Sequence, residues 1–283
     1  MPEMLLAPPP LPMISRTEVH HRHPWVIIAG SLQGPVKAGK ADPELNDDAF
    51  RIGAVGNVSW AIVADGVGSA AMASAGAHYA TYYLDRFLAS VGPERAATSE
   101  TLLKGYRIVR EQLALHAVQD RRKLADYATT LLVAVLTESR VLLARTGDGL
   151  CLTMDALADG KDAFHQRACS AKPADPDGDV TPITDPAWEQ FWSAEVVDIA
   201  TSRTTAVVLA TDGAETFFVS DQQYNTALIS KFTTPILNQP DKGLRYASPI
   251  LHRMFINVID NPPTYNKDDR TFAIATLNHC GHP

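Results

Sequence analysis

The chain has 283 residues, of which 46% are hydrophobic and 20% are charged, and its formal net charge is −7. These values are typical of a globular protein with a sizeable core. The acidic balance and the lack of a long run of Lys and Arg argue against a nucleic-acid partner. The three scattered cysteines argue against a disulfide framework and a zinc site, and they fit a reducing cytoplasm.

The N-terminal residues 1–24 are predicted to form a flexible tail, and residues 25–283 are predicted to form one folded domain. The tail is apolar between residues 4 and 14, but it lacks a basic start and is interrupted by prolines. It therefore predicts neither a signal peptide nor a membrane span. A cytoplasmic protein without a membrane partner is expected.

Short runs rich in Val, Ile, Leu and Ala predict β-strands, whereas apolar residues at helical spacing predict α-helices. The predicted strands cover residues 24–31, 48–52, 58–64, 129–136, 141–145, 150–154, 195–199, 205–209 and 270–277. The predicted helices cover residues 70–90, 99–123, 221–231 and 241–259. The loop-rich residues 158–185 are predicted to form a flap beside the site.

Short connections between successive strands require antiparallel pairing, because a parallel crossover needs a dozen or more residues. Residues 195–199 and 205–209 are accordingly predicted to form a hairpin. The order of strands, two helices, strands, helices and a final strand implies antiparallel sheets covered by helices.

Aspartates recur where the predicted strands begin or end. They occur in the motifs Asn46-Asp47-Asp48, Asp65-Gly66, Gly147-Asp148-Gly149, Thr211-Asp212-Gly213 and Asp268-Asp269. If these strand ends converge, the carboxylates repel one another, and the cluster is stable only when cations neutralise it. Hard oxygen ligands suit Mg²⁺ or Mn²⁺ rather than zinc.

Asp-Gly is also a common turn sequence, because both residues are favoured in turns for backbone reasons. For Asp148 two interpretations stay open: the residue serves only the turn, or it binds a metal ion. Turns do not require aspartate at every matched position, so the recurrence at Asp65, Asp212 and Asp268 favours a metal centre.

Taken in order, these motifs resemble those of the metal-dependent protein phosphatases of the protein phosphatase 2C family, in its short bacterial form. The resemblance covers roughly residues 25–278 and includes Ala128-Thr129-Thr130-Leu131, which is similar to the family's Gly-Thr-Thr strand start. It implies an α+β fold, a four-layer αββα sandwich of two antiparallel sheets flanked by helices. Residues 25–283 would then be the catalytic domain.

The resemblance also implies the site. Two Mn²⁺ or Mg²⁺ ions would be bridged by Asp65, with Asp212 and Asp268 as further ligands of one ion. The Gly66 carbonyl and, through water, Asp47 would hold the other ion. Asp65, Asp212 and Asp268 would be the catalytic residues. Around these ligands, the outer residues would be Asn46, Asp48 and Asp269. A third ion, found in bacterial members, would use Asp148 with Asp212.

The implied function is the hydrolysis of serine and threonine phosphomonoesters by a metal-activated water, with a phosphorylated protein as substrate and a serine/threonine kinase acting in opposition. The family's phosphate-gripping arginine is missing before Asn46, and Lys37 or Lys40 is the candidate replacement, as a point charge rather than a bidentate contact. Two other functions stay open: a catalytically weak pseudophosphatase or sensor domain that binds a signalling partner, and a two-metal phosphodiesterase or nuclease.

Overall fold

The structure is a computed structural model that describes residues 15–22, 24–33, 45–156, 162–167, 180–220, 223–224 and 268–277. Its strands are β1 Ser15–Arg22, β2 Trp25–Leu32, β3 Asp48–Val55, β4 Val58–Asp65, β5 Leu131–Leu136, β6 Arg140–Thr146, β7 Leu150–Ala156, β8 Asp162–Gln166, β9 Ser193–Asp198, β10 Thr204–Ala210, β11 Val219–Ser220, β12 Gln223–Tyr224 and β13 Arg270–Leu277. Its α-helices are α1 Ala73–Val91, α2 Pro93–Ala96, α3 Ser99–Gln119, α4 Trp188–Phe191, α5 Ile199–Ser202 and α6 Asp212–Phe218. A 3-10 helix covers Leu124–Tyr127.

Two antiparallel sheets dominate the described part of the chain. The five-stranded sheet has the order β3-β4-β5-β6-β9, and the six-stranded sheet has the order β1-β2-β13-β10-β7-β8. The short strands β11 and β12 pair separately. Because β13 lies between β2 and β10, the six-stranded sheet joins segments from both ends of the described chain.

Apolar side chains on alternate strand positions pack the two sheets face to face, as the period of two along a strand requires. Trp25, Phe50, Leu132 and Ala273 belong to this inner core. The opposite face of the five-stranded sheet packs against α1 and α3 in a second core. The outer face of the six-stranded sheet contacts α6, whose Phe218 lies edge to face with Phe272. These four layers confirm the predicted αββα sandwich.

Helix α1 packs closely on its surroundings because its first turns are built from small residues. A β carbon on Gly76 would overlap the carbonyl of Tyr127 in the 3-10 helix, and Ala77 and Ala80 are fully buried. This close approach places the loop between β4 and α1 beside residues 126–130. The N–H of Val67 donates to the Ala128 carbonyl at 2.9 Å.

The predicted hairpin of residues 195–199 and 205–209 is wrong. Strand β9 pairs with β6 in the five-stranded sheet, whereas β10 pairs with β7 and β13 in the six-stranded sheet. Helix α5 and Arg203, which has a left-handed backbone with φ of 56°, lie between them. This turn redirects the chain from one sheet to the other, and strand periodicity does not show which sheet a strand joins.

The flexible-tail prediction for residues 1–24 is wrong for Ser15–Arg22. These residues form strand β1, which pairs with β2 along its whole length from Ser15↔Leu32 to Arg22↔Trp25. Their sequence is mostly polar, so the pairing with β2 rather than a hydrophobic pattern defines the strand. Residues 1–14 lie outside the described residues, and the domain boundary stays a prediction.

Part of the predicted flap is also a strand, since Asp162–Gln166 pairs with β7. Residues 223–224, which were predicted to be helical, form β12. Residues 221–222 and 225–231 of this predicted helix lie outside the described residues, and so does the whole of the predicted helix 241–259. None of the helices described in the structure is long and apolar enough to cross a membrane.

Candidate metal centre

The acidic motifs meet at one end of the sandwich. In the five-stranded sheet, Asp48 at the start of β3 pairs with Asp65 at the end of β4. In the six-stranded sheet, Asp212 opens α6 directly after β10, and Asp268 lies just before β13. Because β10 and β13 are antiparallel neighbours, the end of one lies beside the start of the other. The structure therefore brings the predicted residues together, while their metal-binding roles stay predictions.

The first and last acidic motifs are in direct contact. The backbone N–H of Asp47 donates to Oδ2 of Asp269 at 2.6 Å. Next to this contact, Gly213 packs against the Asp269 backbone so tightly that an added β carbon would overlap the Asp269 carbonyl and lie 3.2 Å from Cβ of Asp268. The glycine after Asp212 is thus needed for the close approach of the segment that carries Asp268.

Gly66 is required by its surroundings for a similar reason. Its N–H donates to the Asp47 carbonyl at 3.0 Å. A β carbon at this position would overlap the Ala73 carbonyl and lie 2.8 Å from the Asp47 oxygen. Any larger residue would push the first acidic motif away from the end of β4.

Two threonines fix the backbone of Asp65. Thr130 donates its N–H to the Asp65 carbonyl at 2.8 Å, and its hydroxyl oxygen accepts the Asp65 N–H at 2.9 Å. The Thr129 hydroxyl also donates to the Asp65 carbonyl at 2.8 Å. The sequence reasoning included these threonines only as part of a motif and assigned them no role at the site. The sequence feature that could have indicated this role is the pair of hydroxyl residues, Thr129 and Thr130, directly before a strand that neighbours the strand ending at Asp65.

Asp48 is buried and held by polar neighbours. Its N–H donates to Oδ1 of Asn46 at 2.9 Å, and its Oδ2 accepts the Thr211 hydroxyl at 2.8 Å. The Ser74 hydroxyl of α1 donates to the Asn46 carbonyl at 2.6 Å. Ser74 is a further member of the site that the sequence reasoning did not single out, and Thr211 was included only as part of the motif Thr211-Asp212-Gly213, without a role of its own.

The carboxylates act on one another electrostatically. Burial raises the pKa of Asp65 well above its ordinary value, and the negative charges of Asp48, Asp212 and Asp268 raise it further. Burial also raises the pKa of Asp48 to about 8, with a contribution from the charge of Asp269 and an opposing one from the Thr211 hydrogen bond. Like charges gathered away from water favour protonation unless a cation neutralises them.

The donor chemistry fits a divalent cation. Oδ1 of Asp212 is shielded from solvent, and no hydrogen-bond donor among the described residues reaches it. An acceptor of this kind beside the repelled carboxylate of Asp65 is suited to a hard cation such as Mg²⁺ or Mn²⁺. In the described part of the chain, no group of three or more His, Cys, Asp and Glu residues is already arranged to hold a metal ion.

Asp148 lies in the tight turn between β6 and β7. The flanking Gly147 and Gly149 have φ of 86° and 98°, where glycine is favoured. A β carbon on Gly149 would come within 2.6 Å of the Ala210 carbonyl, so the turn lies against the strand end that precedes Asp212. Buried Arg145, which the sequence reasoning missed, donates from Nη1 to the Gly149 carbonyl at 3.1 Å.

The candidate phosphate contacts, Lys37 and Lys40, lie outside the residues that the structure describes. Their roles stay predictions.

Comparison with known proteins extends these observations. The sequence matches the protein phosphatase 2C family model over residues 40–245. A bacterial serine phosphatase structure is similar with a TM-score of 0.61 and 17% identity, covering 91% of this chain and 98% of that chain. The structure of a serine/threonine phosphatase from Staphylococcus aureus is similar with a TM-score of 0.57 and 16% identity, covering 95% of this chain and 98% of that chain. The structure of a serine-threonine phosphatase 2C from Toxoplasma gondii is similar with a TM-score of 0.58 and 13% identity, covering 95% of this chain and 100% of that chain.

No curated protein matches the sequence. The family match, which spans well over half of the chain, defines the class as protein-serine/threonine phosphatases, which are hydrolases. More particularly, the chain belongs to the protein phosphatase 2C family, and the predicted family is confirmed. This family is metal-dependent.

Proposed function

We propose that this protein uses a divalent-metal centre to hydrolyse phosphoserine and phosphothreonine in a protein substrate. The observation that carries the proposal is the meeting of acidic residues from both sheets at one end of the sandwich. Burial raises the pKa of Asp65, and the charges of Asp48, Asp212 and Asp268 raise it further. A bound cation would offset the repulsion between these carboxylates and so stabilise the cluster.

The proposed ligands are those that the family resemblance implies. Asp65 would be shared by two ions, with Asp212 and Asp268 on one side and with the Gly66 carbonyl and Asp47 on the other. The Oδ1 of Asp212, which is shielded from solvent and receives no hydrogen bond from the described residues, supports this assignment, because a carboxylate oxygen of this kind suits a cation. Asp148 is proposed as a ligand of a third ion with Asp212, which the contact of the Gly149 turn with Ala210 supports.

The proposed metal is Mn²⁺ or Mg²⁺. A structure of RsbX in complex with magnesium is similar to this chain, with a TM-score of 0.50 and 13% identity, covering 93% of this chain and 100% of that chain. When bound, divalent ions lower the pKa of a coordinated water and offset the charge of a phosphate ester.

The chain's own residues supply the framework for this chemistry. The hydrogen bonds with Thr129 and Thr130 hold the backbone of Asp65, and the Thr211 hydroxyl holds the side chain of Asp48. Positioned ligands reduce the reorganisation that the reaction requires. Lys37 or Lys40 is proposed to contact the substrate phosphate.

The partners proposed are a phosphorylated protein and an opposing serine/threonine kinase, and the proposed location is the cytoplasm. These assignments follow from the phosphatase class and from the sequence composition. A phosphoproteomic comparison of cells with and without the active protein would identify the substrate, which is expected to gain phosphoserine or phosphothreonine when the protein is missing.

The test of the proposed function is Mn²⁺-dependent hydrolysis of p-nitrophenyl phosphate and of a phosphothreonine peptide. We expect turnover that chelation abolishes, and no turnover by Asp65→Asn or Asp212→Asn although both variants fold. Calorimetry that detects no binding of Mn²⁺ or Mg²⁺ would overturn the proposal. Metal binding without turnover would instead support the sensor function, and hydrolysis of a bis-ester but not a monoester would support the phosphodiesterase function.

A further inference from the structure

Five buried polar residues at the candidate metal centre are joined in a closed ring of hydrogen bonds. The ring members are Ser31, Asn46, Asp48, Thr211 and Thr271, and each is at most 5% exposed. Thr271 Oγ1 donates to Ser31 Oγ at 2.6 Å, and Asn46 Nδ2 donates to the same oxygen at 2.7 Å. The N–H of Asp48 donates to Asn46 Oδ1, and the Thr211 hydroxyl donates to Asp48 Oδ2. The N–H of Thr271 donates to the Thr211 hydroxyl oxygen at 3.0 Å and closes the ring.

The ring crosses from one sheet to the other. Ser31 and Thr271 are paired positions of β2 and β13 in the six-stranded sheet, and Thr211 follows β10. Asn46 precedes β3 of the five-stranded sheet, and Asp48 is its first residue. The ring therefore links the two sheets at the end of the sandwich where the acidic motifs meet.

This link has a specific consequence for the proposed ligands, which come from both sheets. Asp65 belongs to the five-stranded sheet, whereas Asp212 and Asp268 adjoin strands of the six-stranded sheet. Further along the sandwich, the sheets are held by apolar packing, which is not directional. Hydrogen bonds have preferred distances and angles, so the ring can fix how the two ligand sets lie relative to each other.

We propose that Ser31 is a positioning residue for the metal centre, which holds the ligands of the two sheets in register without touching a metal ion. Ser31 stands outside the aspartate motifs, yet its oxygen accepts from both Asn46 and Thr271. A serine hydroxyl has two acceptor sites, and both are used here. Removing this oxygen breaks the ring at two bonds and leaves two buried donors without their acceptor.

The inference rests on the proposed function, and its test uses metal binding as the primary readout. The variants are Ser31→Ala, Thr271→Val and Ser31→Thr, with Ser59→Ala as matched control. Ser59 is a buried serine in β4, near the opposite end of the strand from Asp65. Mn²⁺ affinity is measured by calorimetry on the full chain, below the unfolding temperature of each variant. The half-saturating Mn²⁺ concentration for turnover and kcat at saturating Mn²⁺ are measured in parallel.

We expect Ser31→Ala and Thr271→Val to weaken Mn²⁺ binding by about tenfold, the lower end of the effect seen when outer partners of metal ligands are removed. The half-saturating Mn²⁺ concentration should rise in proportion, while kcat at saturating Mn²⁺ stays close to that of the wild type. Ser31→Thr, which keeps an acceptor oxygen, and Ser59→Ala should both bind Mn²⁺ like the wild type.

Wild-type affinity in Ser31→Ala and Thr271→Val would overturn the inference, as would an equal loss in Ser59→Ala. If Ser31→Ala does not fold, Thr271→Val decides the question, because it removes one ring bond and keeps the volume of the side chain. A wild-type protein that binds no Mn²⁺ would instead overturn the proposed function, so the two failures are distinguishable.

Discussion

The backbone N–H of Asp47 donates a hydrogen bond of 2.6 Å to Oδ2 of Asp269, which follows it by 222 positions in the sequence. This bond joins the start of the five-stranded sheet to the segment before β13. The same Asp269 carboxylate contributes to the raised pKa of Asp48. Asp269 therefore has two separable effects, as a hydrogen-bond acceptor and as a charge.

Replacement of Asp269 should separate these effects. At pH 6 and without metal, Asp269→Ala should lose about 1–3 kcal/mol of unfolding free energy, because a buried N–H loses its acceptor. Asp269→Asn keeps an acceptor oxygen and should lose much less. Urea unfolding in the presence of a chelator measures both values. Equal stability of the two variants would show that the Asp47 bond contributes little.

Asp65→Asn should have opposite effects on activity and on the stability of the metal-free protein. Because the folded-state pKa of Asp65 is raised, the folded protein holds a proton that the unfolded chain releases near its ordinary value of 3.8. Stability is therefore lost as the pH rises through the folded-state pKa. Asparagine does not ionise, so the variant should become more stable than the wild type as the pH increases, yet inactive.

Unfolding measured from pH 5 to pH 9 with a chelator tests this pH dependence. The activity loss should be at least about 100-fold, because even loss of an outer partner of a metal ligand costs about 10- to 100-fold. A variant that is destabilised at every pH would contradict the repulsion inferred for this site.

Gly213→Ala should damage the metal centre more than an overpacking substitution elsewhere. The new β carbon would overlap the Asp269 carbonyl and must displace the backbone that carries Asp268. The matched control is Gly105→Ala in α3, where the β carbon would meet the side chains of Leu84 and Phe87. Both variants should be less stable in thermal unfolding. Only Gly213→Ala should lose Mn²⁺ affinity in calorimetry, and similar affinities in the two variants would contradict this assignment.

His116 should make the protein less stable as the pH falls. Its Nε2 lies 2.8 Å from the Tyr83 hydroxyl, and its ring stacks on Tyr79 with centroids 4.1 Å apart. Burial lowers the pKa of His116, while the charge of Asp120 opposes this shift. The unfolded chain thus binds a proton more readily than the folded protein near the ordinary pKa of 6.5, and stability decreases as the pH falls through this range.

The measurement is urea unfolding between pH 7.5 and pH 5 for the wild type and His116→Phe. Phenylalanine keeps an aromatic ring but cannot be protonated, so the stability of the variant should depend less on pH in this window. Comparing the pH slopes rather than the absolute stabilities removes the contribution of the acidic cluster, which both proteins share. Parallel slopes would show that His116 does not titrate differently on folding.

Much of the fold could be predicted because strand periodicity and helical spacing are local properties of the sequence. The strands that carry Asp48 and Asp65 and the helix that begins at Ala73 were predicted to within a few residues. The pairing of β9 and β10 was not, because the residues of a strand do not show which of the two sheets it joins. Strand β1 was missed because its polar residues are ordered by a partner strand.

The candidate site shows the same division. Recurrence of aspartate at strand ends predicted which carboxylates meet, since the ends of adjacent antiparallel strands lie together. The hydroxyl groups of Ser31, Ser74 and Thr211 were not predicted as parts of the site, because a serine or threonine in a strand or helix has many ordinary roles. Their importance depends on which distant residue they contact.

The central position of β13 has a consequence for the synthesis of the protein. The last strand that the structure describes lies between β2 and β10, with Ile274 paired to Ile28 on one side and to Val208 on the other. Until residues 270–277 leave the ribosome, the six-stranded sheet is divided into two parts with unpaired edges. Asp268 lies just before this strand. A nascent chain, or a chain cleaved before residue 268, therefore lacks both the central strand of the sheet and one proposed ligand. The proposed metal centre would then be complete only after this segment has left the ribosome.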